Sequence, residues 1–382
     1  MSVAFHLLRF GVLVVVALAV LLVAGVIAFI PAERQASAVP IVISAGEAAA
    51  TLEAMKPPKR ARPVVAVVGA NSGTETTDYL VPYGVLRRSG VADVFALSTK
   101  GGPLKLMPAL TIVPDATTAE FVRRYPDGAD YVIVPALHDP TDADVRAFIR
   151  AQAALGATIV SICDGTLVMA NAGMLSGHRA TGHWFNIDDV AKAHPTMQRV
   201  RDRRYVADRG IVTTTGVSAS VPVSLALVEA IAGRERAAAL AQEIGARGWS
   251  AEHDSGAFHL IRDDVWMILG NLIMGLFDRE TIAVRVQDGG DIIAAAFMAD
   301  SYGRTFRARA VVVGSQPVRT AEGLQILPDA SRAAVDIAVD LPKDTPAHAL
   351  DLALGGIKAR YGDATAAFVR VQLEDRGHTT GG

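Results

Sequence analysis

The chain has 382 residues, a formal net charge of −2 and 51% hydrophobic residues, with a mean hydropathy of +0.31 and a pI near 6.5. Such a length exceeds one hydrophobic core and predicts two domains with additions, while the near-neutral charge without a broad basic patch excludes nucleic acid as an expected partner. The single cysteine excludes an intramolecular disulfide framework, and the scattered histidines lack metal-ligand spacing, so no metal or other cofactor is expected.

Gly11 to Ile30 carries no charge and is long enough, at about 1.5 Å per residue, to cross a hydrocarbon core of about 30 Å. Residues 1–32 are therefore read as a single-pass membrane anchor, with the bilayer as partner through residues 11–30. A signal peptide cleaved after Ala36-Ser37-Ala38 is the competing reading. The apolar run exceeds the usual h-region of about 7–15 residues, and that site lies well past its end. Arg9 precedes the segment while Glu33 and Arg34 follow it, a weak bias that puts the rest of the chain on the outer side. Residues 33–62, rich in Ala and Pro, read as a partly ordered linker whose Lys56, Lys59, Arg60 and Arg62 form a solvated basic cluster.

From Pro63 the pattern alternates. Val64–Val68, Ala92–Ser98, Tyr131–Pro135 and Ala157–Ile162 are apolar runs of strand length, and Asp78–Arg88 and Ala143–Leu155 have helical spacing. Alternation of this kind predicts a doubly wound parallel α/β sheet over residues 63–245, closed by helices Val221–Ala232 and Arg234–Gly245. Residues 246–280 read as a helical connector. Within it, the thirteen charge-free residues Val265–Phe277 are short for a span and predict a buried interdomain helix in preference to a membrane-lying one.

Residues 281–382 echo the first domain. Val64-Val65-Ala66-Val67-Val68 resembles Ile282-Ala283-Val284-Arg285-Val286, and Leu110 to Ala116 resembles Leu324 to Ala330. The expectation is an abbreviated second copy without a nucleophile, since Asp78 projects onto Ala296 and the elbow segment has no counterpart.

The chemistry centres on Thr158 to Ala170, which holds Cys163. An apolar β-branched run passes through one reactive side chain into a small-residue helix, as in a nucleophile elbow, and Ser161-x-Cys163-x-Gly165 repeats the G-x-S-x-G geometry. Such a turn sets the thiol at the strand end, where the following helix's N-terminus favours thiolate; the alternative is a small hydrophobe buried at a core strand's end. Asp78 can manage a proton or cap its helix, and His183 is a further candidate or a structural residue. Asp164 beside the thiol disfavours its ionisation unless the carboxylate turns to cap its own helix.

Four features, namely Asp78 four residues before Pro82, the Ser-x-Cys-x-Gly elbow, Arg179 to Trp184, and Thr213 to Gly216, give residues 63–245 a pattern that resembles the PfpI family (the Parkinsonism-associated DJ family) of the class I glutamine amidotransferase-like superfamily. The pattern is most similar to isonitrile hydratases and to the sensor domain of AraC-type regulators. That resemblance implies a flavodoxin-like fold, a nucleophile at Cys163, an acid at Asp78 and a site-proximal His183. It also implies a pocket containing Gly165, with oxyanion donors from Asp164 and from Ala136-Leu137, where the family usually has a glycine pair.

Two readings follow. One is a membrane-anchored, cysteine-dependent hydratase or hydrolase acting on a small carbon electrophile. The other is a non-catalytic, membrane-tethered module that senses a small molecule or a redox state. Either takes a small-molecule ligand, and homodimerisation is left open.

Overall fold

The computed structural model describes residues 25, 27–37, 39, 41–329 and 335–377. The apolar segment Gly11–Ile30 therefore lies outside the described residues except for Gly25 and residues 27–30. No helix among the described residues is long and apolar enough to cross a membrane.

The chain enters through helix α1 (Ala45–Ala54) and then runs β1 (Val64–Gly69), α2 (Thr76–Ser89), β2 (Asp93–Ser98), β3 (Leu104–Met107), β4 (Thr111–Val113), β5 (Ala116–Thr117), α3 (Thr118–Arg124), β6 (Tyr131–Val134), α4 (Ala143–Ala154), β7 (Thr158–Ser161), α5 (Gly165–Asn171), β8 (Tyr205–Asp208), β9 (Ile211–Thr214), α6 (Ser220–Ala232) and α7 (Arg234–Ile244). The main sheet has the order β8-β9-β7-β6-β1-β2-β5, parallel except for the β8–β9 edge. This is the doubly wound arrangement that the alternating pattern predicts and the flavodoxin-like fold that the resemblance implies. Alternation along β1 fills two cores: Val65 and Val67 pack against α2 and α6, and Val64, Ala66 and Val68 join the layer of Phe121, Phe148 and Val168. The predicted linker is ordered where it meets this domain, since Tyr131 Oη donates to Met55 O at 2.7 Å and Arg203 Nε to Glu47 Oε1 at 2.6 Å.

The remainder comprises α8 (Arg262–Phe277), β10 (Glu280–Arg285), α9 (Ile292–Gly303), β11 (Ala308–Val311), β12 (Gln325–Leu327), β13 (Ile337–Asp340) and α10 (Ala349–Leu373), which is kinked at Gly362. Strands β11-β10-β13 form a parallel sheet. Strand β12 pairs antiparallel with β4 in a smaller sheet apart from the main one, Ile326 facing Ile112 and Leu327 facing Thr111. Helix α9 packs on α2 so closely that a Cβ at Gly84 would lie 2.7 Å from Ile293 Cγ1.

Helix α8 departs from expectation. None of its apolar side chains is buried; Asp264 is its one buried residue. Its charge-free run predicts burial, but Asn271 donates to Thr305 O and Thr365 Oγ1, each at 3.0 Å, on one side only, and the opposite side faces outward.

Candidate active site

Cys163 follows β7 with φ 54°, the left-handed conformation that costs a residue with a Cβ about 1–2 kcal/mol. The turn is held from the neighbouring strand: the Cys163 N–H donates to Thr214 Oγ1 and to Thr215 O, both at 3.1 Å. Gly165 is required by packing, because a Cβ there would lie 2.0 Å from Val134 O. The elbow predicted from spacing is thus built, with the Thr213 to Gly216 strand end as its clamp.

Asp78 sits in the first turn of α2, and its N–H donates to the capping carboxylate of Glu75. Its Oδ2 accepts from the Ala136 N–H at 3.1 Å, while Oδ1 is buried without a hydrogen-bond partner. Burial pushes the Asp78 carboxyl up to about 7 against that hydrogen bond and the charge of Arg304. Glu75 is likewise pushed up to about 7, by burial and by Asp78. Ala136 therefore spends its N–H on Asp78 and is not a free oxyanion donor. Leu137 is bridged to Thr74 beside the same turn.

Arg304, at the end of α9, donates to Glu75 Oε1 at 2.6 Å and to both oxygens of Asp300, at 2.9 and 2.8 Å. Its charge counters the acids around Cys163. It does not prevail: burial first, then Asp78, Asp164 and Glu75, hold the thiol well above its ordinary value. This corrects the expectation that a helix N-terminus favours thiolate. Helix α5 has seven residues, and desolvation beside several carboxyl groups outweighs so short a dipole.

Asp164 does not cap its own helix. Its Oδ2 accepts from Asn186 Nδ2 at 2.8 Å and faces His183 Nδ1 at 4.0 Å. His183 Nε2 lies 3.0 Å from Gln372 O; a carbonyl only accepts, so Nε2 donates there, and Nδ1 accepts from the Phe185 N–H at 3.4 Å. Cys163, Asp164 and His183 bring one ligand atom each within 4.8 Å of one another, which among the described residues is the donor set of a candidate cation site. The end of α10 closes the site: Trp184 donates to Val371 O from Nε1 at 2.8 Å and to Glu374 Oε1 from its backbone at 2.7 Å, and Glu374 pairs with His253 at 2.9 Å.

The structure thus gathers Cys163, Asp164, Gly165 and His183 at one point, with Asp78 and Ala136 beside it. Sequence reasoning missed Glu75, Asp300, Arg304 and Glu374. An acid three residues before Asp78 at a helix start is a capping signal that could have marked Glu75. The other three lie more than a hundred residues from the elbow and give no local signal.

Residues 64–230 match the DJ-1/PfpI family. The chain is 34% identical over 113 residues to an isonitrile hydratase of Pseudomonas putida, covering 29% of this chain and 46% of that one. It is 25% identical over 169 residues to the dj-1beta protein of Drosophila melanogaster, covering 43% and 87%, and 27% identical over 150 residues to the HTH-type transcriptional regulator CdhR of Pseudomonas aeruginosa, covering 38% and 43%. It thus spans less than half of the hydratase and of CdhR. Among solved structures, a DJ-1 superfamily protein of Salmonella typhimurium aligns at 25% identity with a TM-score of 0.43, over 48% of this chain and 98% of that one. With the elbow and its clamp falling inside the matched stretch, residues 64–230 of this chain are a DJ-1/PfpI family domain.

Proposed function

We propose that this domain is a cysteine-dependent hydratase acting on a small carbon electrophile, with an isonitrile as the substrate class. The observation that carries the reading is Cys163 on its left-handed turn beside two buried carboxyl groups held near pH 7. An isonitrile carbon accepts both a nucleophile and a proton, so a neutral thiol suffices. The sulfur bonds to carbon, the S–H bond breaks and its proton passes to the same carbon, giving a thioimidate. Water then adds to that carbon, nitrogen takes a proton, and the C–S bond breaks to return the thiol and leave an N-substituted formamide. Asp78 would carry the proton between sulfur and carbon, the Asp164 N–H would hold developing charge, and His183 would orient the water. The test is formamide production by the full chain: C163A should abolish it with the fold intact, and retained turnover would overturn the reading.

A second reading, a tethered sensing module, is favoured by the end of α10, whose Gln372 and Glu374 bond His183 and Trp184 beside a thiol whose ionisation burial disfavours. Ligand-induced changes in association that survive C163A would support it.

The C-terminal region is proposed to be a shortened second copy acting as a fused partner. Three correspondences support this. Asp115 and Asp329 each accept from the strand residue they also donate to, Ala96 and Val312. Ile112 and Ile326, equivalent in the echo, pair with each other. Glu75 and Asp291 both cap helices, α2 and α9, through the third helical N–H. Counted from those caps, Asp78 corresponds to Ala294 and not Ala296, still without an acid. Residues 11–30 are proposed as a membrane anchor with the domain on the outer side, to be tested by carbonate extraction and protease protection.

A further inference from the structure

The last described residues of the apolar N-terminal segment are fastened to one element. Arg262 donates from Nε to Ile30 O and from Nη2 to Ala28 O, both at 2.9 Å, and its backbone N–H donates to Pro31 O at 3.0 Å. Arg34 pairs with Asp264. Wherever residue 30 sits, the start of α8 sits beside it.

Helix α8 has two unlike faces. Asp264, Asn271 and Gly275 follow one stripe toward the protein: Asn271 bonds Thr305 and Thr365, and a Cβ at Gly275 would lie 2.5 Å from Phe306 O. Trp266, Ile273 and Phe277, at i, i+7 and i+11, follow the opposite stripe with Leu272 and Leu276 beside it. These are exposed, Leu276 by 82% and Phe277 by 85%, and Phe29 near the helix start is 93% exposed. Sixteen residues make a rod of about 24 Å, so this is a continuous apolar strip with charges only at its ends: Arg262 and Asp263 at one, Asp278 and Arg279 at the other. A patch of that kind marks a surface that something covers.

We propose that the outer face of α8 lies in the headgroup region of the bilayer that residues 11–30 enter, as a second contact fixing the domain's orientation. The inference rests on the anchor reading, because the fastening of Ile30 to Arg262 places α8 at the point where the anchor leaves the membrane. Trp266 and Phe277 then occupy the depth that aromatic side chains favour at the interface, and the charged ends remain in water.

The full chain, reconstituted into phosphatidylcholine–phosphatidylglycerol vesicles, should show a blue-shifted tryptophan emission that brominated lipid quenches, and W266F should remove that quenched component. Leu276→Glu with Phe277→Glu, at sites too exposed to affect folding, should remove it as well while leaving the chain resistant to carbonate. A carbonate-resistant chain whose Trp266 is not quenched would overturn the α8 contact and leave the anchor standing. Quenching of Trp266 in a chain that carbonate extracts would support α8 and overturn the anchor. Protection of Trp266 by lipid-free self-association would assign the face to a second copy and overturn the proposal.

Discussion

Arg304 and Glu75 meet across the junction between the two halves of the chain, Nη2 to Oε1 at 2.6 Å, and Arg88 and Asp291 meet in the mirrored position at 2.5 Å. Each pair joins the end of one helix of the α2–α9 contact to the cap of the other. The first pair also ties the C-terminal region to the cysteine site, because Glu75 caps the helix that carries Asp78. Replacing Arg304 with Gln leaves Glu75 and Asp300, whose carboxyl groups are already raised to about 7 and about 8, buried without a cation, a loss of about 1–3 kcal/mol at the usual cost of an unsatisfied buried polar group. Lys should recover part of this, since it keeps the charge and loses the fork. Urea unfolding at neutral pH checks it, and an Arg304→Gln protein as stable as its parent would remove Arg304 from the site.

The raised carboxyl groups set a pH dependence with a definite sign. Asp78 and Glu75 are pushed up to about 7 and Asp300 to about 8, while the unfolded chain releases these protons near pH 4. Between those values the folded state holds more protons, so the stability they contribute is complete below about pH 4 and is lost as pH rises to about 8. Asp78→Asn keeps an acceptor for Ala136 and cannot ionise. It should therefore gain stability relative to the parent as pH goes from 5 to 8, measured by urea unfolding at both. A difference independent of pH would contradict the assignment.

The elbow was legible because it is local: strand, Cys163, Gly165 and helix lie within a dozen residues, and each residue type answers to one steric demand. Asp78 and His183 were legible from the resemblance and not from spacing alone. Arg304 and Glu374 were not legible, since they reach the site through packing of α9 and α10 on the first domain, which no short pattern records. Helix α8 misled for a related reason. Thirteen charge-free residues predict burial within the fold, and the structure buries none of their apolar side chains.

Gly165 tests the elbow's geometry independently of its chemistry. A methyl group there would meet Val134 O at 2.0 Å, and backbone cannot yield as a side chain does. Gly165→Ala should destabilise the domain by about 3 kcal/mol, the upper range for overpacking, and should widen the turn that holds Cys163. Thermal unfolding compared with Gly173→Ala separates the steric effect from that of a left-handed glycine, because Gly173 has φ 75° and nothing within 4 Å of its Cβ position.

The thiol itself gives the most direct reading of the site. With burial and three carboxyl groups holding Cys163 well above its ordinary value, alkylation by iodoacetamide should be slow at neutral pH and should accelerate only well above the free-thiol range of about 8.5. As the chain's one cysteine, it makes the readout unambiguous. Asp164→Asn removes one of the negative charges beside the sulfur, so the rise should move to lower pH. A half-maximal rate below the free-thiol range would mean that the thiolate is stabilised in the folded protein, and the neutral-thiol addition to an isonitrile would give way to attack by a preformed thiolate.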